Sequence, residues 1–341
     1  MDGDHLHGEG AAAERSPPGL ADSFGSAAYG GAGWQPRVLS HAAELGSHWA
    51  RAGIDSEWAP LETVLLSAPG PAMAAASADP NAAQLLAPVD LARARAEHAG
   101  LAAAYRDAGI AVLEVAPSQA HANQIFCADT FVMTPEGAIL ARPASAVRAG
   151  EEVAVAAALA GAHVPILATL TGTATFEGAD LMWLDAQTAV IGRGLRTNEA
   201  AIGQIRRVLE QIGCDLIAVD MPWGVMHLMG MIRILDRDLA VAWPRRAPLA
   251  AVQAMEARGM RVAFPPRDLS EAAINTGLNV VTLGPRRIVM PAVAGDPDVM
   301  AMTRFYESLG VEVVAVGMAE LRRAAGAAGC LTGIVARQRV G

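Results

Sequence analysis

The chain has no lysine: all 26 basic side chains among its 341 residues are arginine. In a sequence this rich in alanine and glycine, coding bias explains arginine-only basicity, and no functional weight is placed on it. Cysteine is scarce. Cys127, Cys214 and Cys330 are the three, with no CxxC spacing, which excludes a disulfide framework and a cysteine zinc site and makes a reducing, cytoplasmic setting the expectation. The histidines show no HxxH, HxxxH or HExxH spacing, so neither a metal centre nor a cofactor is expected. An excess of positive charge is missing too. Against the 26 arginines stand 35 acidic residues, a formal charge of -9, and such a surface repels nucleic acid and anionic membrane. Long apolar runs are absent. Val153 to Phe176 carries no Asp, Glu or Arg, but His163, Pro165, Gly172 and the threonines at 169, 171, 173 and 175 interrupt it, so no membrane span is predicted.

What is present is enough apolar material, 52% of residues with only 18% charged, to bury a large core. The first 35 residues are rich in Gly, Ala and Ser and lack a basic n-region and an apolar h-region, which predicts a disordered tail over 1–35 rather than a signal peptide. Beyond the tail one pattern recurs about every 50 residues: strand, tight turn, strand, helix, strand. The first copy runs through CADTFVMTPEGAILARP, a helix near 145–161 and HVPILATL. The second is DLMWLD, TAVIGRG, a helix from about Asn198 to Ile212 and DLIAVDMP. The third is MIRILD, LAVAWP, a helix at 248–258 and MRVAFPP, and the fourth NVVTLG, RIVMPA, a helix at 297–309 and VEVVAVG. A fifth copy is split between the chain ends, with LETVLLSAP, a helix at about 88–107 and GIAVLEVAP near the start and LTGIVARQ near the finish. Pairing the ends closes a ring and removes exposed sheet edges. The fold class expected is therefore a five-fold pseudo-symmetric α/β propeller of strand-strand-helix-strand units in one domain, residues 36–341.

In such a ring, polar residues at unit junctions meet although they lie far apart in sequence. Four junctions stand out: Asn123-Gln-Ile-Phe126-Cys-Ala-Asp129, Phe176-Glu177-Gly-Ala-Asp180, Met226-His227-Leu-Met229 and Gly329-Cys330-Leu-Thr332. The segment Ser67–Ala82, small, Pro-punctuated and aperiodic, reads as a mobile loop over the pocket.

The order NxxFxxD, an arginine after the next strand (Arg142), EGxD, an RTN helix start, an isolated MHL and a cysteine near the C-terminus resembles the guanidine-modifying, or pentein, superfamily. That group includes dimethylarginine dimethylaminohydrolases, arginine deiminases and amidinotransferases. The resemblance spans about residues 58–338. It implies Cys330 as nucleophile, His227 as acid and base, and Glu177, Asp129 and Asp180 as carboxylates that grip a guanidinium. It also implies Arg142 and Arg196 on a substrate carboxylate, Phe126 over the alkyl chain and Asn123 on an amino group.

The chemistry suits that set. A guanidinium is resonance-stabilised, so attack at its carbon needs a thiolate. Carboxylates accept its forked donors, and a histidine protonates the leaving amine and then activates water. The bland alternatives are a packed thiol for Cys330, turn caps for Glu177 and Asp180, and ion pairs for the arginines.

Met229 stands where deiminases and amidinotransferases commonly carry a carboxylate two residues after the histidine, which favours an alkylated guanidinium over a bare one. The expected activity is hydrolysis of a guanidino C–N bond. Amidino transfer to an amine and a non-catalytic binding ring of the same fold are the alternatives. The expected partner is a small guanidino compound, with homo-oligomer formation left open.

Overall fold

A computed structural model describes residues 23–340, and the chain separates into two units, residues 1–43 and 44–341. Most of the expected tail, residues 1–22, lies outside the described residues. Residues 23–35 contain a single-turn 3-10 helix at Ala27–Tyr29, and a short helix α1 (His41–Glu44) follows. No helix among the described residues is long and apolar enough to cross a membrane.

Within the second unit the chain builds five three-stranded sheets. After β1 (Leu61–Ser67), α2 (Pro71–Ala76), α3 (Leu91–Asp107) and β2 (Ala111–Val115) comes α4 (Cys127–Thr130). The hairpin β3 (Phe131–Met133) and β4 (Ala138–Leu140), the helix α5 (Glu151–Gly161) and β5 (Ile166–Thr169) complete the first full unit. The second comprises β6 (Leu181–Asp185), β7 (Thr188–Arg193), α6 (Glu199–Gln211) and β8 (Asp215–Asp220). The third is β9 (Ile232–Asp236), β10 (Leu239–Ala242), α7 (Leu249–Glu256) and β11 (Arg261–Ala263). After α8 (Glu271–Leu278) the fourth holds β12 (Val281–Gly284), β13 (Arg287–Ala292), α9 (Pro297–Ser308) and β14 (Glu312–Gly317). The chain ends on α10 (Ala328–Leu331) and β15 (Gly333–Arg337). Each of the four complete units pairs its hairpin antiparallel and takes the strand after the helix in parallel. The split unit does the same, β15 running antiparallel and β2 parallel to β1. This is the five-fold propeller-like arrangement that the repeat predicts, closed by the two ends of the chain.

Local chemistry sets the element ends. The β3–β4 turn needs Gly137, whose φ is 153° and whose hypothetical Cβ would lie 2.7 Å from the Pro165 carbonyl oxygen. Asp90, Asn198, Ser270 and Asp296 cap α3, α6, α8 and α9 with side-chain oxygens that accept backbone N–H bonds. Between neighbouring sheets, the buried Trp183 of β6 donates its indole N–H to Met133 O at 2.9 Å, and Arg337 of β15 donates to Ala59 O at 2.7 Å and Thr282 O at 2.8 Å.

Three differences from expectation have local causes. The helix expected near 145–161 starts only at Glu151, because Gly150 adopts φ 99° and separates it from a 3-10 turn at Ala146–Arg148. The helix α8, capped by Ser270, was not foreseen. The Ser67–Ala82 segment is not structureless: it holds α2, started by Pro71 at its first turn and followed by Ser77, whose hydroxyl bonds Met73 O and Val89 O.

Candidate active site

Four units, and the split one, each end a junction with a polar side chain just before the first strand of a hairpin or closing pair. These are Asp129 on α4 before β3, Glu177 and Asp180 around a 3-10 turn before β6, His227 before β9, Asn279 before β12 and Cys330 on α10 before β15. The junctions are packed without slack. A Cβ on Gly178 would lie 2.1 Å from Phe131 O, and one on Gly329 would lie 2.3 Å from Arg233 Nη2.

Cys330 and His227 line two adjoining cavities, one of about 280 Å³ and one of about 410 Å³, which also share Leu86, Met226 and Ala325. The smaller one adds Asn123, Phe126, Asp129, Arg148 and Arg196. Thus Asn123, Phe126, Asp129, Arg196, His227 and Cys330 are brought together as the sequence implied. Glu177 and Asp180 line neither cavity. Glu177, fully buried, stands against His227: its Oε2 lies 2.6 Å from Nε2, while Arg196 Nη1 reaches Oε1 at 2.9 Å and Arg148 Nη1 reaches Oε2 at 3.3 Å. Asp180 accepts from Thr197 Oγ1 at 2.6 Å and from the backbone N–H of Leu228 at 3.0 Å, pinning the turn that carries His227. Of the three carboxylates only Asp129 faces the cavity. The three carboxylates expected to grip a guanidinium therefore divide: Asp129 lines the cavity, while Glu177 and Asp180 pack beneath His227 and its turn.

Arg142 is not in the site. Its side chain is exposed and donates to Ala174 O at 2.9 Å, because its backbone pairs with Phe176 and turns the arginine outward. The buried arginine beside the site is Arg148, which the motif order did not single out. It donates to Asp129 Oδ2 at 2.8 Å, to Glu151 Oε2 at 2.8 and 3.0 Å and to Glu177, with its guanidinium 5.7 Å from the centre of the Phe126 ring. Asn279 was also missed. Its amide donates to Cys330 Sγ at 3.0 Å and its carbonyl oxygen accepts the Cys330 N–H at 3.1 Å. The junction rule applied to the fourth hairpin would have found it. Cys127 is fully buried and Cys214 buried, both in the core.

Two buried acceptors in the smaller cavity receive no hydrogen bond among the described residues: Asn123 Oδ1, and Asp129 Oδ1, which lies 3.8 Å from His227 Nδ1. Their burial would be costly unless a ligand supplied N–H groups.

Charge placement follows from the contacts. Burial alone would neutralise His227, but Asp129, the bond to Glu177 and Asp180 outweigh it and hold the imidazolium up to about 9. Burial opposes ionisation of Glu177, yet the hydrogen bond and charge of His227, with Arg148 and Arg196, hold it below the usual carboxylate range. Burial pushes Asp180 up to about 6 against the pull of His227 and Thr197. The Cys330 thiol is pushed up by burial and by Asp129, with the Asn279 hydrogen bond and the Arg233 charge working the other way. Asp129, Glu177 and His227 also bring one possible ligand atom each within 4.8 Å of one another. Arg148 and Arg196 already occupy Asp129 Oδ2 and both Glu177 oxygens, so a guanidinium donor takes the place a metal would need.

Fold and junctions together define an architecture: the chain has the five-fold, pentein-type α/β-propeller fold. The family profile described as N,N dimethylarginine dimethylhydrolase, eukaryotic, matches residues 76–244. An N(G),N(G)-dimethylarginine dimethylaminohydrolase of Streptomyces coelicolor is 27% identical over 224 residues, 66% of this chain and 79% of that protein. Among solved structures, a mutant of the dimethylarginine dimethylaminohydrolase of Pseudomonas aeruginosa complexed with citrulline superposes with a TM-score of 0.65 at 21% identity, over 80% of this chain and 99% of that one. The inosamine-phosphate amidinotransferase of Streptomyces griseus gives 0.63 at 16% identity, over 85% and 97%. The chain thus resembles guanidino-modifying enzymes of both the hydrolase and the transferase kind.

Proposed function

We propose that the protein is a thiol-dependent hydrolase that cleaves a C–N bond of a substituted guanidino compound through a covalent adduct on Cys330. The observation that carries this reading is the pair of buried acceptors without a hydrogen bond, Asp129 Oδ1 and Asn123 Oδ1, in the same cavity as Cys330 and His227. A ligand that satisfies both must carry N–H donors at two places, as a guanidinium and an amino group do.

Asp129 accepts from the guanidinium and places its carbon over Cys330 Sγ. The cationic substrate, entering beside a thiol whose ionisation burial opposes, offsets that penalty. The thiolate adds to the central carbon, and His227, protonated at neutral pH, gives its proton to the departing nitrogen as the C–N bond breaks. The neutral imidazole then takes a proton from water, whose oxygen adds to the thiouronium carbon. Collapse breaks the C–S bond and returns the thiolate, and the hydroxyl proton passes to the departed amine or solvent, which leaves a neutral ureido product. Glu177 and Asp180 act through His227, fixing its orientation and charge. Met229, which lines the larger cavity beside Cys330, offers no charged acceptor, and this supports an alkylated nitrogen on that side, as in dimethylarginine. Arg196, tied to Glu177 but lining the cavity, is the remaining candidate for a substrate carboxylate. No resident metal or cofactor enters this scheme, and a soluble cytoplasmic setting is part of the same reading.

The test is mass-spectrometric product analysis of wild type and Cys330→Ser against arginine, methylated arginines, agmatine and guanidinoacetate without acceptor. Conversion by wild type alone, with release of the amine, is expected. Conversion that appears only after glycine or ornithine is added would instead establish amidino transfer, the second reading, which the likeness to an amidinotransferase supports.

A further inference from the structure

The site is a trough of two chambers that meet at Cys330 and His227, and the chambers differ in chemistry. The smaller, with Asp129, Asn123, Arg148 and Arg196, is polar and holds the two acceptors without a hydrogen bond. The larger runs the other way from Cys330, past Met226, Met229, Gly230 and Met231 to Trp243. Its charged outer groups are already matched: Arg246 donates to Glu271 at 2.6 Å and lies over the Trp243 ring at 4.8 Å. Arg233, at the inner end, donates Nε to Leu278 O at 2.7 Å, while its buried Nη2 has no hydrogen-bond partner among the described residues and its charge acts on Cys330. A thioether and indole wall facing a nucleophile binds apolar groups and offers nothing to a second cation.

Size points the same way. Dimethylamine is three heavy atoms, and at roughly 30 Å³ for each water-sized group it needs about 90 Å³, a fraction of the larger chamber's volume of about 410 Å³.

We propose that the larger chamber binds the substituent on the departing nitrogen, and that the preferred substrate is a guanidino compound carrying an apolar N-alkyl or N-arylalkyl group larger than methyl. This rests on Cys330 and His227 being the reacting pair. The guanidinium sits on Asp129, its backbone chain lies along Phe126 in the polar chamber, and the apolar group lies along Met229 and Met231 toward Trp243. The leaving amine then departs through the chamber that held it.

Gly230 provides a selective probe. It lines the larger chamber only, and a Cβ added there meets nothing within 4 Å, so the side chain of Gly230→Leu starts into open space. Affinity of Nω-methyl-, Nω-butyl- and Nω-benzyl-arginine, and of the matching agmatines, is measured by calorimetry on Cys330→Ser, which binds without turnover. The butyl and benzyl compounds are expected to bind roughly tenfold or more tightly than the methyl compound. Gly230→Leu in the same background is expected to remove most of that ratio. Equal affinity across the series, or a ratio that Gly230→Leu leaves unchanged, overturns the proposal. Turnover by wild type is scored separately: selective binding without conversion would uphold the chamber and sink the hydrolase reading, whereas conversion of the methyl compounds with no gain in binding would do the reverse.

Discussion

Arg148 and Arg142, six positions apart, make opposite use of one side-chain type. Arg148 is buried among Asp129, Glu151 and Glu177, whereas Arg142 is exposed and bonded to one carbonyl. Arg148→Met strands three acidic groups at low dielectric and is expected to cost about 3–5 kcal/mol of stability, together with activity. Arg142→Ala should fall within about 0.5 kcal/mol of wild type. Thermal melts of the two variants check this, and equal losses would contradict the assignment. His227 gives the pH dependence. Its raised value means that its stabilising contribution is complete below the ordinary 6.5 and is lost as pH rises through about 9. Glu177, held low, contributes above its ordinary 4.5 and loses that contribution on acidification. Since the thiol is raised as well, kcat/KM should climb from neutral pH toward about 9. A profile that peaks on the acidic side of neutrality would contradict this charge placement. At this scale the sequence was informative about Cys330, His227 and Asp129, which sit in motifs. It was silent about Arg148, because nothing local distinguishes a buried arginine in SAVRAGEE from an exposed one in ILARP. It assigned Glu177 and Asp180 to the guanidinium along with Asp129, whereas they pack under His227, an outcome of tertiary packing that no motif encodes.

Short elements at the junctions aim the side chains, and their tolerance is small. Gly178 lies between Glu177 and Asp180 where a Cβ would come within 2.1 Å of Phe131 O and 2.6 Å of Ala128 O. Gly178→Ala therefore forces the 3-10 turn away from α4, parting Glu177 from Arg148 and His227. A loss of about 1–3 kcal/mol is expected, with kcat falling more than KM changes; a variant with wild-type melting and kinetics would show that the junction yields. Strands and their order were legible because each hairpin is a continuous apolar run broken by a two- or three-residue turn, and Asn198 marked the start of α6. What escaped were elements whose signals are caps or single glycines: Ser270 for α8, Gly150 for the late start of α5, and Pro71 for α2, hidden in a segment without hydrophobic period.

For the molecule as a whole, closure is the decisive feature. β15 supplies the antiparallel partner of β1 and carries Arg337, which bonds carbonyls from the loop before β1 and from β12. Ending the chain after Thr332 keeps Cys330 but exposes the β1 edge and removes Arg337. Such a truncation is expected to lose cooperative unfolding in circular dichroism, while ending after Gln338 should preserve it. The ring was readable in the sequence because its repeat length is nearly constant and the end strands match the missing parts of one unit. The choice between hydrolysis and transfer was not, because both pass through the same adduct on the same residues.

That adduct is the central claim, and peptide-level mass spectrometry of an acid-quenched, proteolysed reaction with a dimethylarginine-type substrate tests it most directly. The account predicts an added mass on the peptide containing Cys330, absent in Cys330→Ser. Product formation without any added mass on that peptide, or conversion undiminished in Cys330→Ser, would contradict it.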